Sequence, residues 1–294
     1  MYTTYISNEE LLYIALENYG LALQYLSEEL RNNPQLVLIA VNNNPISLKY
    51  ASKNLRNNYN FIIDVVNING LALEFASEEL KNNPQIVLIA VKNNPISLKY
   101  ASTNLRNNYN FIYNIVNING LALEFASEEL RNNIIIVSYA IKNNNKSIIF
   151  ASDKLQSNRE FILCLINIYS ENIFKYLIFK FRSNFNIILF AIKRNLNILY
   201  YVPEYLLNNK NFMLQVLNIN GEALFFASYK LKDDYDIVYT AVNNNGLAIR
   251  FASNSLQNNK NIIIAALKNN YLSIKFISNQ FQNDKDILSI IKKN

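Results

Sequence analysis

Residues 70–94 read GLALEFASEELKNNPQIVLIAVKNN, and residues 20–44 repeat this stretch closely. Residues 45–69 and 95–119 carry a second version that begins PISLKYAS, so two versions of a 25-residue unit alternate. The register continues at 120, 145, 171, 196, 221, 246 and 271, with Ser170 as the only insertion. Self-similarity at a fixed period of this length is the signature of a solenoid, in which each unit packs on its neighbours. The sequence therefore predicts about eleven such units.

Position 14 of every unit is Asn or Asp. These residue types are preferred just before an α-helix, because the side-chain oxygen accepts a backbone N–H that has no partner inside the helix. Pro34 and Pro84 follow directly, where a missing N–H costs nothing. Apolar residues at positions 17, 18, 21 and 22 form one stripe at helical spacing. We expect the second helix of each unit to begin at position 15 and to end at the Asn pair near positions 24–25.

The first helix of each unit is predicted to be divided. Position 8 is Ser in nine units and Pro203 in another. Proline would clash inside a continuous helix, whereas both residues suit a new helix start. We expect two short turns, one of them of 3₁₀ character. Position 6 is aromatic in all eleven units; we interpret it as core, with a stacking ladder for nucleic-acid bases as the alternative.

A longer period of about 50 residues overlies the first, because small and large residues alternate at position 21. The structural module is thus expected to be a pair of units. The fold class predicted is all-α, a curved superhelical α-solenoid. We expect one helical-repeat domain over 1–294, with a partial unit at 1–19, regular units at 20–169, divergent units at 170–220 and regular units at 221–294.

The motif Leu-Ala-Leu-Glu-Phe-Ala-Ser-Glu-Glu-Leu followed by a second apolar helix, as in residues 70–94, closely resembles the DUF4116 repeat. That repeat is a tandem helical module of about 50 residues, and the resemblance covers nearly the whole chain. It implies an α-solenoid of unknown biochemical role and carries no catalytic residues to transfer. Units 171–220 depart most from the pattern.

The sequence offers little for catalysis. It contains no histidine, which removes the commonest general base and most metal sites. It contains neither a P-loop nor a G-x-G-x-x-G motif. The single cysteine, Cys164, is flanked by leucines, and we expect it to be a small buried hydrophobe rather than a reactive thiol. We expect no enzyme activity, no cofactor, no metal and no small-molecule substrate.

The net charge of +6 is mildly basic and permits, without demanding, contact with nucleic acid or acidic partners. A basic column recurs at position 12: Arg31, Arg56, Lys81, Arg106, Arg131, Arg182 and Lys232. Such a column could track a phosphate backbone. It could equally complement the dipole at the end of the first helix. The second interpretation is favoured, since the column lapses in four units and acidic residues lie at positions 9 and 10.

The divergent middle is the stronger functional lead. Ile178 and Phe179 replace Ser and Glu, Phe185 replaces a polar residue or proline, and Leu207 replaces Arg. These four residues form a partner-binding patch if they face water; otherwise the Ser170 insertion buries them locally. Our first hypothesis is a non-enzymatic protein–protein interaction scaffold. The alternatives are a nucleic-acid-binding solenoid and a structural or assembly component. With no signal peptide or transmembrane segment evident, we expect an intracellular, cytoplasmic protein without membrane insertion.

Overall fold

The computed structural model describes residues 8–278, 281 and 284–291, and these residues form helices and no strands. Their contacts divide the chain into two compact units, Met1–Gln156 and Ser157–Asn294. Each unit is a row of similar helical layers in which every repeat packs on the next, so the prediction of an all-α solenoid is confirmed.

The long helices occupy positions 15–24 of the repeat, as predicted. In the first unit they are Asn8–Asn18, Pro34–Asn43, Tyr59–Ile68, Pro84–Asn93, Tyr109–Ile118 and Ile134–Asn143; in the second they are Arg159–Tyr169, Phe185–Ile192, Lys210–Ile219, Tyr235–Asn244, Lys260–Asn269 and Lys285–Ile291. The predicted caps are confirmed: the Asn83 side chain accepts the N–H groups of Gln85 and Ile86. The next asparagine column has two roles, because Asn94 ends one helix and caps the following one.

The predicted division of the first helix is also confirmed. Positions 1–6 form 3₁₀ helices: Gly20–Tyr25, Pro45–Tyr50, Gly70–Phe75, Pro95–Tyr100, Gly120–Phe125 and Asn145–Phe150, then Leu196–Tyr201, Gly221–Phe226, Gly246–Phe251 and Tyr271–Phe276. Positions 9–12 form short α-helices: Glu28–Arg31, Lys53–Arg56, Glu78–Lys81, Thr103–Arg106, Glu128–Arg131 and Asp153–Gln156, then Phe179–Arg182, Glu204–Leu207, Tyr229–Lys232 and Asn254–Gln257. The break lies at position 8, where the Ser77 hydroxyl caps the new helix by accepting the N–H of Leu80.

A glycine and an alanine set the spacing of neighbouring long helices. A Cβ on Gly70 would lie 2.2 Å from the carbonyl oxygen of Ala90, so only glycine fits this approach. The Gly70 N–H donates to the side chain of Asn93, 2.8 Å away. Helices Tyr59–Ile68 and Pro84–Asn93, which flank Gly70, pack closely, whereas helices separated by Pro45 or Pro95 pack more loosely. This close approach explains why Gly alternates with Pro at position 1 and why small residues alternate with large ones at position 21.

The core lies at positions 3, 4, 7, 11, 17, 18, 21 and 22, and the aromatic column at position 6 is not part of it. The prediction that position 6 forms the core is therefore wrong. Tyr25 is 78% exposed, and most of the other rings are half-buried. Positions 3, 4 and 7 of the same segment fill the interior, and the position-6 rings lie over position 5 of the preceding repeat. Tyr100, for example, bonds through its hydroxyl to Glu74, which raises the pKa of Tyr100.

Cys164 is exposed, so its predicted burial is also wrong. It occupies position 20, beside the buried stripe of its helix rather than within it, while Leu165 at position 21 is buried.

The Ser170 insertion changes the layer that follows it. Ser170 adopts φ 49° and ψ −124°, and its buried hydroxyl has no hydrogen-bond partner. The residues at positions 1–4 then form the α-helix Glu171–Phe174 in place of a 3₁₀ helix. The next long helix, Phe185–Ile192, has 8 residues where a regular long helix has 10. One inserted residue thus alters the local helix type, and the repeat register resumes after it.

Candidate interaction surface

The 3₁₀ helices and short α-helices of successive repeats form one surface of each unit, which we name the short-helix face. A groove between repeats on this face is lined by positions 9 and 12 of one repeat and positions 5, 6 and 9 of the next; one example contains Glu28, Arg31, Lys49, Tyr50 and Lys53. Side chains at positions 5, 6, 9 and 12 therefore lie close enough to contact one ligand together.

Serine bridges join the short α-helices on this face. The Ser77 N–H donates to the carbonyl oxygen of Arg56, and its hydroxyl donates to the Asn57 side chain. In the first unit the backbone bond recurs at every step between short α-helices, made by Ser52, Ser77, Ser102, Ser127 and Ser152. Within the described part of the second unit it recurs only where Ser253 donates to Lys232. At Pro203 the bond cannot form, because proline has no N–H.

The basic column ends the short α-helices on this face, where a cation complements the helix dipole. Two of its seven cations form ion pairs within their own helices. Lys81 pairs with Glu78 at 2.8 Å, and Arg131 pairs with Glu128. The Nε atoms of four of its arginines are buried and without a hydrogen-bond partner: Arg31, Arg56, Arg106 and Arg131. Arg182 donates its Nε–H to the Leu177 carbonyl oxygen. These side chains lie against their own and neighbouring repeats.

Of the four apolar residues singled out in the divergent middle, Phe179 is exposed, at 57%. Ile178, Phe185 and Leu207 are half-buried. The Phe185 ring packs 4.9 Å from the ring of Phe212, a fully buried residue. Phe185 therefore extends the core, and Phe179 presents an aromatic ring at position 9 of the short-helix face.

A larger group of aromatic rings lies further along the same face, and sequence reasoning missed it. We define the aromatic patch as Tyr200, Phe225, Phe226, Tyr229 and Phe251. Tyr200 and Phe225 meet Phe226 edge to face, with ring centroids 4.8 and 5.0 Å away, and Phe225 meets Phe251 at 5.4 Å. Tyr200, Phe225 and Tyr229 are 63%, 45% and 92% exposed. The available signal was position 5, which is polar or charged in most repeats and aromatic at Tyr200 and Phe225.

Lys232 lies within this patch. Its ammonium nitrogen is 5.7 Å from the Phe225 ring centroid and 5.8 Å from that of Tyr229, within the range of cation–π attraction. Burial lowers the pKa of Lys232. Nearby Arg250 lies over the Phe251 ring and pairs with Glu222 at 3.2 Å. The patch is thus an apolar surface with basic groups set among its rings.

The long helices carry a different groove, lined by Tyr235, Tyr239, Asn243, Asn261 and Lys268. It is polar, and the two tyrosines stack with centroids 5.7 Å apart. No three His, Cys, Asp or Glu side chains converge as a metal site among the described residues. None of the helices described has the length and apolar character needed to cross a membrane.

The sequence profile of one family, described as a domain of unknown function (DUF4116), matches residues 8–56, 58–106, 108–156, 136–182, 158–207, 209–257 and 259–294. The chain belongs to the DUF4116 family. Every DUF4116 match begins close to a long helix, and all but the shorter last one, 259–294, span about two 25-residue units, which confirms the predicted pairing. No curated protein and no solved structure matches the chain.

The DUF4116 matches also mark the irregular region. Six of them follow one another about 50 residues apart, whereas the match at 136–182 overlaps two others in a register shifted by about half a repeat. That overlap includes Ser170 and Phe179. Most of the aromatic patch lies in the next match, 209–257, which keeps the regular register, and Tyr200 lies near the end of the match 158–207.

Proposed function

We propose that this DUF4116 protein is a non-enzymatic scaffold that binds another protein through the aromatic patch of its second unit. The observation that carries the proposal is the exposure of Tyr200, Phe225 and Tyr229 around contacting rings. A contiguous exposed apolar surface marks an interaction site more often than it marks inert surface. Tyrosine and phenylalanine are also enriched at the centres of protein interfaces.

The basic column supports a nucleic-acid role less well. A stripe of cations that tracks phosphates needs charges free to leave their local partners. On this face, Lys81 and Arg131 have carboxylates three residues before them, and four arginines bury their Nε atoms. Glu28, Glu78 and Glu128 also interrupt the stripe with negative charge. Binding dominated by aromatic contacts is the better fit to this distribution.

The proposal is tested by affinity capture from cells that produce the protein. The native chain is compared with a Tyr200→Ser/Phe225→Ser variant and with the control Tyr25→Ser, which removes a still more exposed ring from the first unit. We expect the patch variant to lose a discrete bound protein by about tenfold or more, and the control to retain it.

The salt dependence of capture distinguishes protein binding from nucleic-acid binding. Apolar contacts are not screened, so capture should survive about 0.5 M NaCl. Equal capture by the native chain and the patch variant would contradict the proposal. Recovery of nucleic acid that is lost steeply with salt would replace it with the nucleic-acid hypothesis.

A further inference from the structure

Lys232 lacks the intrahelical glutamate partner that Lys81 and Arg131 have, and it lies within cation–π distance of two rings. In the helices Glu78–Lys81 and Glu128–Arg131, the terminal cation pairs with a glutamate three residues earlier. In the helix Tyr229–Lys232, that position is Tyr229, which cannot supply a carboxylate. Lys232 forms no ion pair with any described residue, whereas the aromatic ring that replaced the glutamate is 92% exposed.

Two carboxylates near Lys232 in the sequence already have other partners. Glu222 pairs with Arg250, and Asp233 accepts a hydrogen bond from the Ser253 hydroxyl. Lys232 itself is half-buried between two rings, and burial lowers its pKa. A partly desolvated cation interacts more strongly with a carboxylate than a fully hydrated one does, because less water screens the pair. The site therefore has an unused capacity for one negative charge, bordered by apolar surface.

We propose that Lys232, Phe225 and Tyr229 form a site for an acidic segment of a partner protein, in which a carboxylate pairs with Lys232 and adjacent apolar side chains lie on the two rings. This inference rests on the proposed function and specifies the chemistry of the partner. Charge complementarity supplies the acidic component, and the exposed rings supply the apolar one. A single ammonium among rings lacks the row of free cations that a nucleic-acid strand requires.

The probe is a short fluorescent peptide that alternates Glu and Phe, with the corresponding Gln–Phe peptide as its neutral counterpart. Binding to the full chain is measured by fluorescence anisotropy. The critical variant is Tyr229→Glu, which recreates the Glu–x–x–Lys arrangement of Glu78 and Lys81 and so gives Lys232 an internal partner. Because the chain already contains this arrangement in a folded repeat, the variant should fold. Lys232→Gln removes the charge and keeps both rings, and Lys81→Gln is the matched control at a paired lysine.

We expect Tyr229→Glu and Lys232→Gln to weaken binding of the acidic peptide by about tenfold, a typical effect of losing a charged contact in an interface. We expect Lys81→Gln to bind as the native chain does and the neutral peptide to bind about tenfold more weakly than the acidic one. Equal binding of the two peptides, unchanged binding by Tyr229→Glu, or no binding by the native chain would overturn the acidic-segment proposal.

These outcomes separate the inference from the function on which it rests. If the Tyr200→Ser/Phe225→Ser variant loses its captured protein while the acidic peptide fails to bind, the scaffold function stands and the partner chemistry is wrong. If neither experiment depends on the patch, both proposals fail. A single-stranded oligonucleotide included as a competitor identifies the remaining alternative, since its displacement of the peptide would point to phosphate binding.

Discussion

The two units use the same backbone to present different surfaces. In the first unit, serine bridges connect every pair of successive short α-helices, and glutamates neutralise Lys81 and Arg131. In the second unit, Pro203 interrupts the bridges, and aromatic residues occupy positions 5 and 9 at Phe225 and Tyr229. The long-helix caps and the close glycine contacts are retained in both. The capping and glycine positions maintain the repeat, and positions 5, 8 and 9 vary on its surface.

We expect the largest loss of stability from substitutions at the buried glycines, and we expect it to be equal in both units. Gly70→Ala and Gly221→Ala each place a Cβ 2.2–2.3 Å from an alanine carbonyl oxygen, so neighbouring long helices must separate. We expect each to destabilise its region by about 3 kcal/mol, the upper part of the range for overpacking. Hydrogen exchange of the flanking helices measures the loss. Pro95→Ala, at the same position of a loosely packed repeat, is the control, and an equal loss there would contradict the glycine argument.

We expect serine substitutions at position 8 to reduce stability more in the first unit than in the second. Ser77 caps its helix and also donates to Asn57 in the preceding repeat, whereas Ser228 caps its helix without a hydrogen bond to the preceding short helix. We expect Ser77→Ala to cost about 2 kcal/mol, as the sum of a cap and a hydrogen bond, and Ser228→Ala about 1 kcal/mol. Local opening free energies from hydrogen exchange provide the comparison. Identical losses would show that the hydrogen bond from the Ser77 hydroxyl to Asn57 contributes nothing to stability.

Acid should weaken the second unit more than the first. Burial acts to raise the pKa of Asp234, but hydrogen bonds from Lys210 and the Ile237 N–H outweigh it and lower that pKa. A hydrogen bond from Lys260 likewise lowers the pKa of Asp284. A carboxyl with a lowered folded-state pKa stabilises the fold above its unfolded pKa, near 3.9, and this contribution is lost as pH falls through the folded value. The corresponding caps of the first unit are asparagines, which do not titrate.

We therefore expect exchange protection in helix Tyr235–Asn244 to fall as the pH drops below about 4, while protection in helix Pro84–Asn93 changes less over the same range. Protection factors, corrected for intrinsic exchange rates, are the measurement. Asp234→Asn should remove much of the acid sensitivity of its helix. Parallel loss in both helices, or an unchanged acid response in Asp234→Asn, would be inconsistent with this assignment.

The smallest expected effect concerns the exposed rings. Tyr229→Ala and Tyr25→Ala should each change stability by less than about 0.5 kcal/mol, as most surface substitutions do. Thermal unfolding of the two variants tests this. A large loss at Tyr229 would mean that its ring supports the fold, and the binding tests at that position would then need reinterpretation.

Sequence reasoning predicted the architecture well because its signals are local. Asn83 indicates a helix start and Pro203 indicates a helix break, because both act on the backbone of neighbouring residues only. The direction of the aromatic column is a different matter, since a residue that recurs every 25 positions gives the same pattern whether it points inward or along the surface. Only the fold shows that position 6 lies over position 5 of the preceding repeat, while rings at other positions, such as Phe174 and Phe212, are fully buried.

None of the four apolar residues singled out from the sequence belongs to the aromatic patch, although Lys232 of the basic column does. Phe179 is exposed, as a patch in the divergent region would require. Phe225 and Tyr229 lie in a repeat that keeps the regular register, so no irregularity in the sequence marks them. Recognition of the patch depends on two contacts between repeats, Tyr200 with Phe226 and Phe225 with Phe251, which no single repeat reveals.

The most direct test of the central claim is photo-crosslinking from two tyrosine positions in cells that produce the protein. A photoreactive phenylalanine analogue replaces Tyr229 in one protein and Tyr25 in another, and adducts are identified by mass spectrometry. Both side chains are exposed, so both proteins should fold and both probes should reach solvent. The account predicts a discrete protein adduct at position 229 that is absent at position 25. Equal labelling at both positions, no protein adduct at position 229, or an adduct to nucleic acid there would contradict it.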